Sequence, residues 1–278
     1  MCQRFRMAKD ESGPFEFASI SDGYRQYLEP VIFEPWARRL IEFVQLKPGQ
    51  IVLDVASGTG VVARTAAKFV GKEGQVIASD ISPAMLSHVV TGLDHDAAAI
   101  QLLECSATEL RLLDHSVDVV LCQQGFPFIP DRTAAAREMH RVLRPGGRVG
   151  VAVWLSGARL DPFETYAEVL RDAGIAEPIP HAYDVTRFTM SMNEVEETLI
   201  AAGFGEIAVT TQELEVAWSS PEVATLGIIG TPFGPAAAAL DLERQRRIME
   251  TLRQVMTRGD GSAVRPVLTA VLGRGTAA

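Results

Sequence analysis

The chain has 278 residues, 26 basic and 35 acidic side chains, a net charge of −9, and 47% hydrophobic against 22% charged residues. At roughly 150 residues per domain this is one α/β domain with additions or two small ones, able to bury a large core, and the composition excludes low-complexity disorder and collagen. No apolar run approaches the roughly 20 residues a bilayer needs, the polar start MCQRFRMAKDES carries no leader-like apolar segment, three scattered cysteines suit a reducing cytoplasm, and the negative charge disfavours nucleic acid as a partner.

In chain order, Ser21–Leu46 reads as helical, interrupted before Pro35, with Trp36, Leu40 and Val44 on one apolar face. From Pro48 to Trp154 short β-branched runs alternate with amphipathic stretches, the pattern of a parallel sheet covered by helices. The strands are Ile51–Val55, Gln75–Ser79, Ile100–Leu103, Val117–Gln123 and Arg148–Trp154, each apolar enough to be buried on both faces. Between them lie a helix over Gly60–Val70 stopped by Gly71, one capped by Ser82 and opened by Pro83, and one over Thr133–Leu143 capped by Asp131. Downstream come a helix over Asp161–Ala173, a loop-rich stretch to Arg187, and a helix with a Ser191/Glu194 capping box. A strand over Gly205–Thr211, a mostly helical Pro221–Arg258 broken at Gly230–Pro235, and a last strand over Ala263–Val271 complete the chain. The expected fold is α/β: a Rossmann-like, seven-stranded, mostly parallel sheet flanked by helices, with extra helices capping the carboxyl ends of the strands, where ligands bind. Residues 1–46 form a helical lid in this reading, and 47–278 the binding domain with helical insertions at about 156–200 and 218–260.

The most informative stretch is Ile51-Val52-Leu53-Asp54-Val55-Ala56-Ser57-Gly58-Thr59-Gly60, a buried strand followed by a loop of small residues and then a helix. Gly58 and Gly60 let the backbone turn tightly and approach a ligand with no Cβ between. One βα unit later Asp80 ends the next strand, where it can accept hydrogen bonds from a ribose diol. These features alone also satisfy a dinucleotide fingerprint, Gly58-x-Gly60-x-x-Ala63, which keeps a nicotinamide-dependent oxidoreductase open. Asp54 separates the two readings: a carboxylate there repels a pyrophosphate, which would sit on the helix N-terminus, and suits an ammonium group. A ligand with a ribose and a positive charge is S-adenosylmethionine.

The chain resembles the class I S-adenosylmethionine-dependent methyltransferases, in the branch of the ubiquinone/menaquinone C-methyltransferases, from about Tyr24 to Ala208. The resemblance rests on VLDVASGTG, SDISPAML, SATEL, SVDVVLCQQGFPFIPD and REMHRVLRPGGRV. It implies that Ala56, Ser57, Gly58, Thr59 and Gly60 back the methionine and sugar of the cofactor, and that Asp80 holds the ribose. Ile81 then lies against the adenine, Met85 joins the cofactor set, and Ser106, Ala107 and Thr108 meet the adenine edge. Gln123 and Gln124 line the methyl-transfer site. The family's usual carboxylate is absent at Ser106, where a hydroxyl replaces it. Tyr24, Tyr27, Phe33 and Trp36 put four aromatic rings in thirteen positions; Tyr24 and Tyr27 are expected over the cofactor, as a lid mobile without ligand, and Trp36 in the core. On the substrate side stand Tyr24, Phe128, Trp154 and His181, the last being the one histidine within the insertion and the candidate catalytic group.

Methyl transfer from a sulfonium needs in-line orientation and exclusion of water more than a catalytic triad. The Gln123-Gln124-Gly125-Phe126 segment is not of the Asn/Asp-Pro-Pro-aromatic type of the amide and base N-methyltransferases. The expected reaction is therefore methylation of oxygen or carbon on a small hydrophobic or aromatic metabolite of secondary metabolism. S-adenosylhomocysteine is the product, and no metal and no membrane partner are expected. A cofactor-binding protein that catalyses a non-methylating cyclisation or rearrangement is the alternative.

Overall fold

The structure is a computed structural model, which describes residues 20–89, 95–178 and 184–278. The described chain opens with α1 (Ile20–Gly23), a π-helical stretch over Tyr24–Phe33, and α2 (Glu34–Phe43), wound without interruption. The expected break at Pro35 does not occur: Pro35 is the second residue of α2, and the winding continues through it. The disturbance lies one turn earlier. Pro30 lacks an N–H and its ring strikes the carbonyl four residues back, and the Glu34 N–H reaches the Glu29 carbonyl, five residues away.

The core then alternates: β1 (Ile51–Val55), α3 (Val61–Val70), β2 (Gln75–Asp80), α4 (Pro83–Leu86), β3 (Ala99–Glu104), β4 (Val117–Gln123), α5 (Arg132–Val142) and β5 (Leu143–Leu155). The caps are those the sequence implies: Gly71 ends α3 at φ 68°, Ser82 accepts from the Met85 N–H, and Asp131 accepts from the Ala134 N–H at 2.8 Å. Next come α6 (Phe163–Asp172), β6 (Thr189–Met190), α7 (Met192–Ala201) with its Ser191/Glu194 capping box, and β7 (Gly205–Glu215). The chain continues through α8 (Pro221–Leu226), a 3-10 turn at Gly227–Gly230, α9 (Phe233–Ala238), α10 (Leu242–Val255) and β8 (Val267–Thr276).

The sheet order is β3-β2-β1-β4-β5-β8-β7, with the two-residue β6 added beside β5. Strands β1 to β5 pair in parallel, and β8 lies antiparallel between β5 and β7. Two expectations are corrected. β3 is an edge strand with Leu102 39% exposed, so it is not buried on both faces. The last strand runs over 267–276, not 263–271. Gly273 and Gly275 lie within it as sheet residues: a Cβ on Gly273 would stand 2.6 Å from Val195 Cγ1, and one on Gly275 2.9 Å from Phe204 Cβ.

Helices cover both faces. One face buries α2, α3 and α4 together with the 20–33 stretch and α6, α8, α9 and α10; the other buries α5 and α7. Gly150 lets α2 settle onto β5, since a Cβ there would lie 2.1 Å from Val44 Cγ1. A second close approach joins distant parts of the chain: a Cβ on Gly230 would lie 2.5 Å from the Tyr24 backbone, and one on Gly23 2.9 Å from the Gly230 nitrogen. Among the described residues no helix is long and apolar enough to cross a membrane.

Candidate functional site

Where β1, β2 and β4 end, the chain leaves the sheet through loops that border a cavity of about 970 Å³. At one end lie the small-residue loop after β1 and the carboxylates of Asp54 and Asp80. Ala56, Gly58 and Gly60 all take left-handed backbone angles (φ 55°, 56° and 86°), as does Gln124 after β4 (φ 57°). Non-glycine residues rarely adopt that region, and such strain gathers at ligand sites. A Cβ added to Gly58 would meet nothing within 4 Å, so that backbone opens onto free space. Gly60 has a different duty. It caps α3 and passes against Val89, where a Cβ would lie 2.7 Å from Cγ1, and it does not line the cavity.

Asp54 is 1% exposed and its Oδ2 accepts the Ala63 N–H at 2.9 Å. Burial, reinforced by the neighbouring Asp80 charge, raises its pKa to about 8 against the pull of that N–H. This changes how Asp54 discriminates between ligands. A protonated Asp54 discriminates less by charge than by place: it occupies the helix start that a pyrophosphate would need. Asp80 bridges two loops, its Oδ2 accepting the Gly58 N–H at 2.9 Å and its Oδ1 the Ser82 N–H at 2.9 Å. Each carboxylate oxygen keeps a second acceptor site, so a ribose diol can still be held, and the same side chain fixes the glycine loop. Ser106 and Thr108 stand with their hydroxyls 2.8 Å apart at the cavity wall with Ala107, Ile81 and Met85. The Ser57 hydroxyl is buried beside Asp54, where it favours the ionised carboxylate. Two carboxyl groups, a buried hydroxyl, an open glycine backbone and a hydroxyl pair fit a ligand that carries an ammonium, a ribose and an adenine edge. Among the described residues no group of three or more His, Cys, Asp or Glu side chains is placed to hold a metal ion.

Gln123 and Gln124 close the floor. Gln123 Nε2 donates to the Phe33 carbonyl at 2.9 Å, and Gln124 Oε1 accepts the Trp154 N–H at 3.0 Å. Both amides therefore tie β4 to neighbouring walls. Beyond them the cavity is aromatic. Phe33 stacks on Tyr24 with ring centroids 4.6 Å apart and lies 6.3 Å from Trp154 and 6.4 Å from Phe163. Phe128, 65% exposed, stacks on Phe188 at 5.1 Å, and Phe233 and Leu160 complete the wall.

The structure thus brings together Tyr24, Asp54, Ala56, Ser57, Gly58, Thr59, Asp80, Ile81, Met85, Ser106, Ala107, Thr108, Gln123, Gln124, Phe128 and Trp154. Tyr27 is corrected: it is buried away from the cavity, with its carbonyl accepting from Trp218 Nε1 at 3.3 Å. The π winding is the reason. Tyr24, Leu28 and Phe33, spaced by four and five residues, share the cavity face, whereas an α-helix would have paired Tyr24 with Tyr27. His181 lies outside the described residues. The sequence reading missed Phe163, Phe188, Leu160 and Phe233, which only the folding back of distant segments brings here.

Residues 52–147 match the family model described as a methyltransferase domain. A ubiquinone/menaquinone biosynthesis C-methyltransferase from Stenotrophomonas maltophilia is 37% identical over 147 residues, covering 49% of this chain and 55% of that protein. The corresponding protein of Xanthomonas campestris is 38% identical over 140 residues, with the same coverage. The chain spans about half the length of these curated relatives. Among solved structures, a methyltransferase from an antibiotic biosynthesis pathway of Anabaena variabilis has the same fold, with a TM-score of 0.62 at 16% identity over 89% of this chain and 98% of that one. Sheet order and these matches show that residues 52–147 are a methyltransferase domain, similar to those of the class I S-adenosylmethionine-dependent methyltransferases.

Proposed function

We propose that the protein transfers the methyl group of S-adenosylmethionine to an oxygen or carbon atom of a small, uncharged, hydrophobic acceptor that contains a ring. One observation carries this reading: the cofactor-shaped polar end and the aromatic end belong to one continuous cavity of about 970 Å³. The names of the curated relatives, quinone-biosynthesis C-methyltransferases, support a quinol-like acceptor and carbon as the methylated atom.

Bound at the polar end, S-adenosylmethionine would supply an electrophilic methyl on a sulfonium. The chain's own residues do the holding: Asp80 takes the ribose, Asp54 and the loop after β1 take the amino-acid portion, and Ser106 and Thr108 take the adenine edge. Tyr24, Phe33, Trp154 and Phe163 face the acceptor with apolar surface, exclude water and orient its ring. Orientation of this kind can supply ~7–11 kcal/mol of the barrier. None of the described lining residues is a histidine, lysine or arginine. Burial and the nearby Glu29 charge hold the Tyr24 phenol protonated, with a pKa well above its usual value. An acceptor that brings its own acidic proton, as a phenol, enol or hydroquinone does, suits this lining.

The test is incubation with a labelled methyl donor and a panel of phenols, hydroquinones and lysate metabolites, followed by detection of S-adenosylhomocysteine and the labelled product. Formation of both supports the proposal. Conversion of an acceptor without S-adenosylhomocysteine would assign the cavity to a non-methylating cyclisation or rearrangement. The fold is compatible with that outcome: one solved protein that shares it, with a TM-score of 0.52 at 18% identity over 87% of this chain and 81% of that one, is named a [4+2]-cyclase.

A further inference from the structure

The geometry points to Glu29 and Arg64 as positioning residues: their ion pair holds the N-terminal wall of the cavity and the glycine loop in one register, so that cofactor binding and the shape of the acceptor end are set together. The inference rests on the reading of that loop as the cofactor cradle. Glu29 lies in the π-helical stretch and Arg64 in α3, and their side chains are only 13% and 12% exposed. Arg64 Nη2 binds Glu29 Oε1, and Arg64 Nη1 binds the Thr59 carbonyl. Nη1 also reaches the carbonyls of His88 and Val89 at 3.5 and 3.4 Å. The Thr59 hydroxyl donates to Glu29 Oε2 at 3.1 Å.

One guanidinium and one carboxylate therefore join three segments, two of which wall the cavity directly. Tyr24, Leu28 and Phe33 come from the first, and Ser57, Gly58 and Thr59 from the second. The third, at His88 and Val89, follows the helix that carries Met85. A buried ion pair is weak as a source of stability, since well-packed apolar residues do as well or better. Its directional bonds fix geometry instead. The N-terminal stretch has a second anchor at the Gly23–Gly230 backbone contact, with Tyr24 between the two. Movement of the wall past Phe33 must therefore either break the ion pair or drag the loop along. None of these contacts is needed to shape a nucleotide-binding core, whose own loop bonds are already supplied by Asp80, Ser79 and Ser57.

The test uses the full chain with Glu29→Gln, Arg64→Met and the double variant. Affinity for S-adenosylhomocysteine is measured by calorimetry well below the unfolding temperature, and hydrogen exchange is followed without ligand over 24–33 and 57–60. Each single variant should weaken binding at least tenfold and speed exchange in both segments, and the double variant should be no weaker than the worse single. Thr59→Val, which removes one bond and leaves no charge stranded, should weaken binding two- to fivefold and keeps the test open if a charge variant does not fold. Affinity within twofold of wild type in a folded variant, or faster exchange confined to 24–33, would overturn the proposal. Wild-type protein that binds no S-adenosylhomocysteine would defeat the cofactor reading instead, and the exchange experiment would still decide whether the two segments move as one.

Discussion

Asp54→Asn should stabilise the protein, and by an amount that grows with pH. The side chain is 1% exposed and its pKa is raised from 3.8 to about 8. Between those two values the folded protein holds a proton that the unfolded chain has released, so stability falls as pH rises. The contribution is fully present below pH 3.8 and is lost on the way up to about 8. At ~1.36 kcal/mol per pH unit, the loss at pH 7 is about 4 kcal/mol, and at pH 4.5 about 1 kcal/mol. Asparagine keeps an oxygen for the Ala63 N–H and does not titrate. Its advantage over aspartate should therefore rise from about 1 kcal/mol at pH 4.5 to about 4 kcal/mol at pH 7, or roughly 8–16 °C in melting temperature for a chain of this size. Urea unfolding of both proteins across that pH range measures the difference directly, since the other titrating groups cancel. Parallel stability curves would refute the argument and show that Asp54 is ionised in the folded state. The same substitution should weaken S-adenosylmethionine binding, because an arriving ammonium can draw the proton off Asp54 and pair with the carboxylate, which asparagine cannot offer.

Asp80→Ala should weaken S-adenosylhomocysteine binding at least tenfold, since a charge-assisted ribose contact is worth ~1.5–3 kcal/mol; it should also free the Gly58 amide, seen as faster hydrogen exchange there, and unchanged affinity would reduce Asp80 to a loop brace. Ser106→Asp should be tolerated or tighten the cofactor, by returning a carboxylate to a wall that now offers hydroxyls; loss of affinity in a calorimetric titration would mean that this loop does not meet the adenine. Gly150→Ala should cost about 1–3 kcal/mol by urea unfolding, because its methyl group would have to displace Val44 from 2.1 Å away; a neutral result would show that α2 can lift off β5 freely.

The parallel half of the fold was legible because local signals agreed with the global one. The run into Asp54, the Gly58/Gly60 loop, the Ser82-Pro83 cap and the Asp131 cap each forced one local outcome, and together they traced β1 to β5 and the polar end of the site. What escaped was set by contacts between distant segments. The last strand runs on past Val271 through Gly273 and Gly275, which weaken a strand on their own and are kept in the sheet by Val195 and Phe204 packed over them. Tyr27 looked equivalent to Tyr24 because a helix is read at 3.6 residues per turn, and Pro30 changes that period. Phe163, Phe188 and Phe233 carry no motif; each is an ordinary apolar residue until the segments after β5 and β7 fold back over the sheet. Glu29 and Arg64 were invisible for the same reason: a charge in an amphipathic helix is read as solvated unless its partner is known.

The place of β8 has a consequence for how the chain is made. Its two neighbours, β5 and β7, are both complete before residues 267–276 emerge, and the backbone edge of β5 over 148–154 that faces β8 has no strand beside it until then. An unpaired edge is a template for wrong pairings, and contacts spanning all of residues 156–266 form slowly. The nascent protein should thus pass through a stage with an open gap in its sheet, during which a chaperone or a second copy can occupy the slot. The same gap makes the fold divisible: a chain that stops before Val267, supplied with a separate peptide of the β8 sequence, has the pairing geometry to accept it by strand addition.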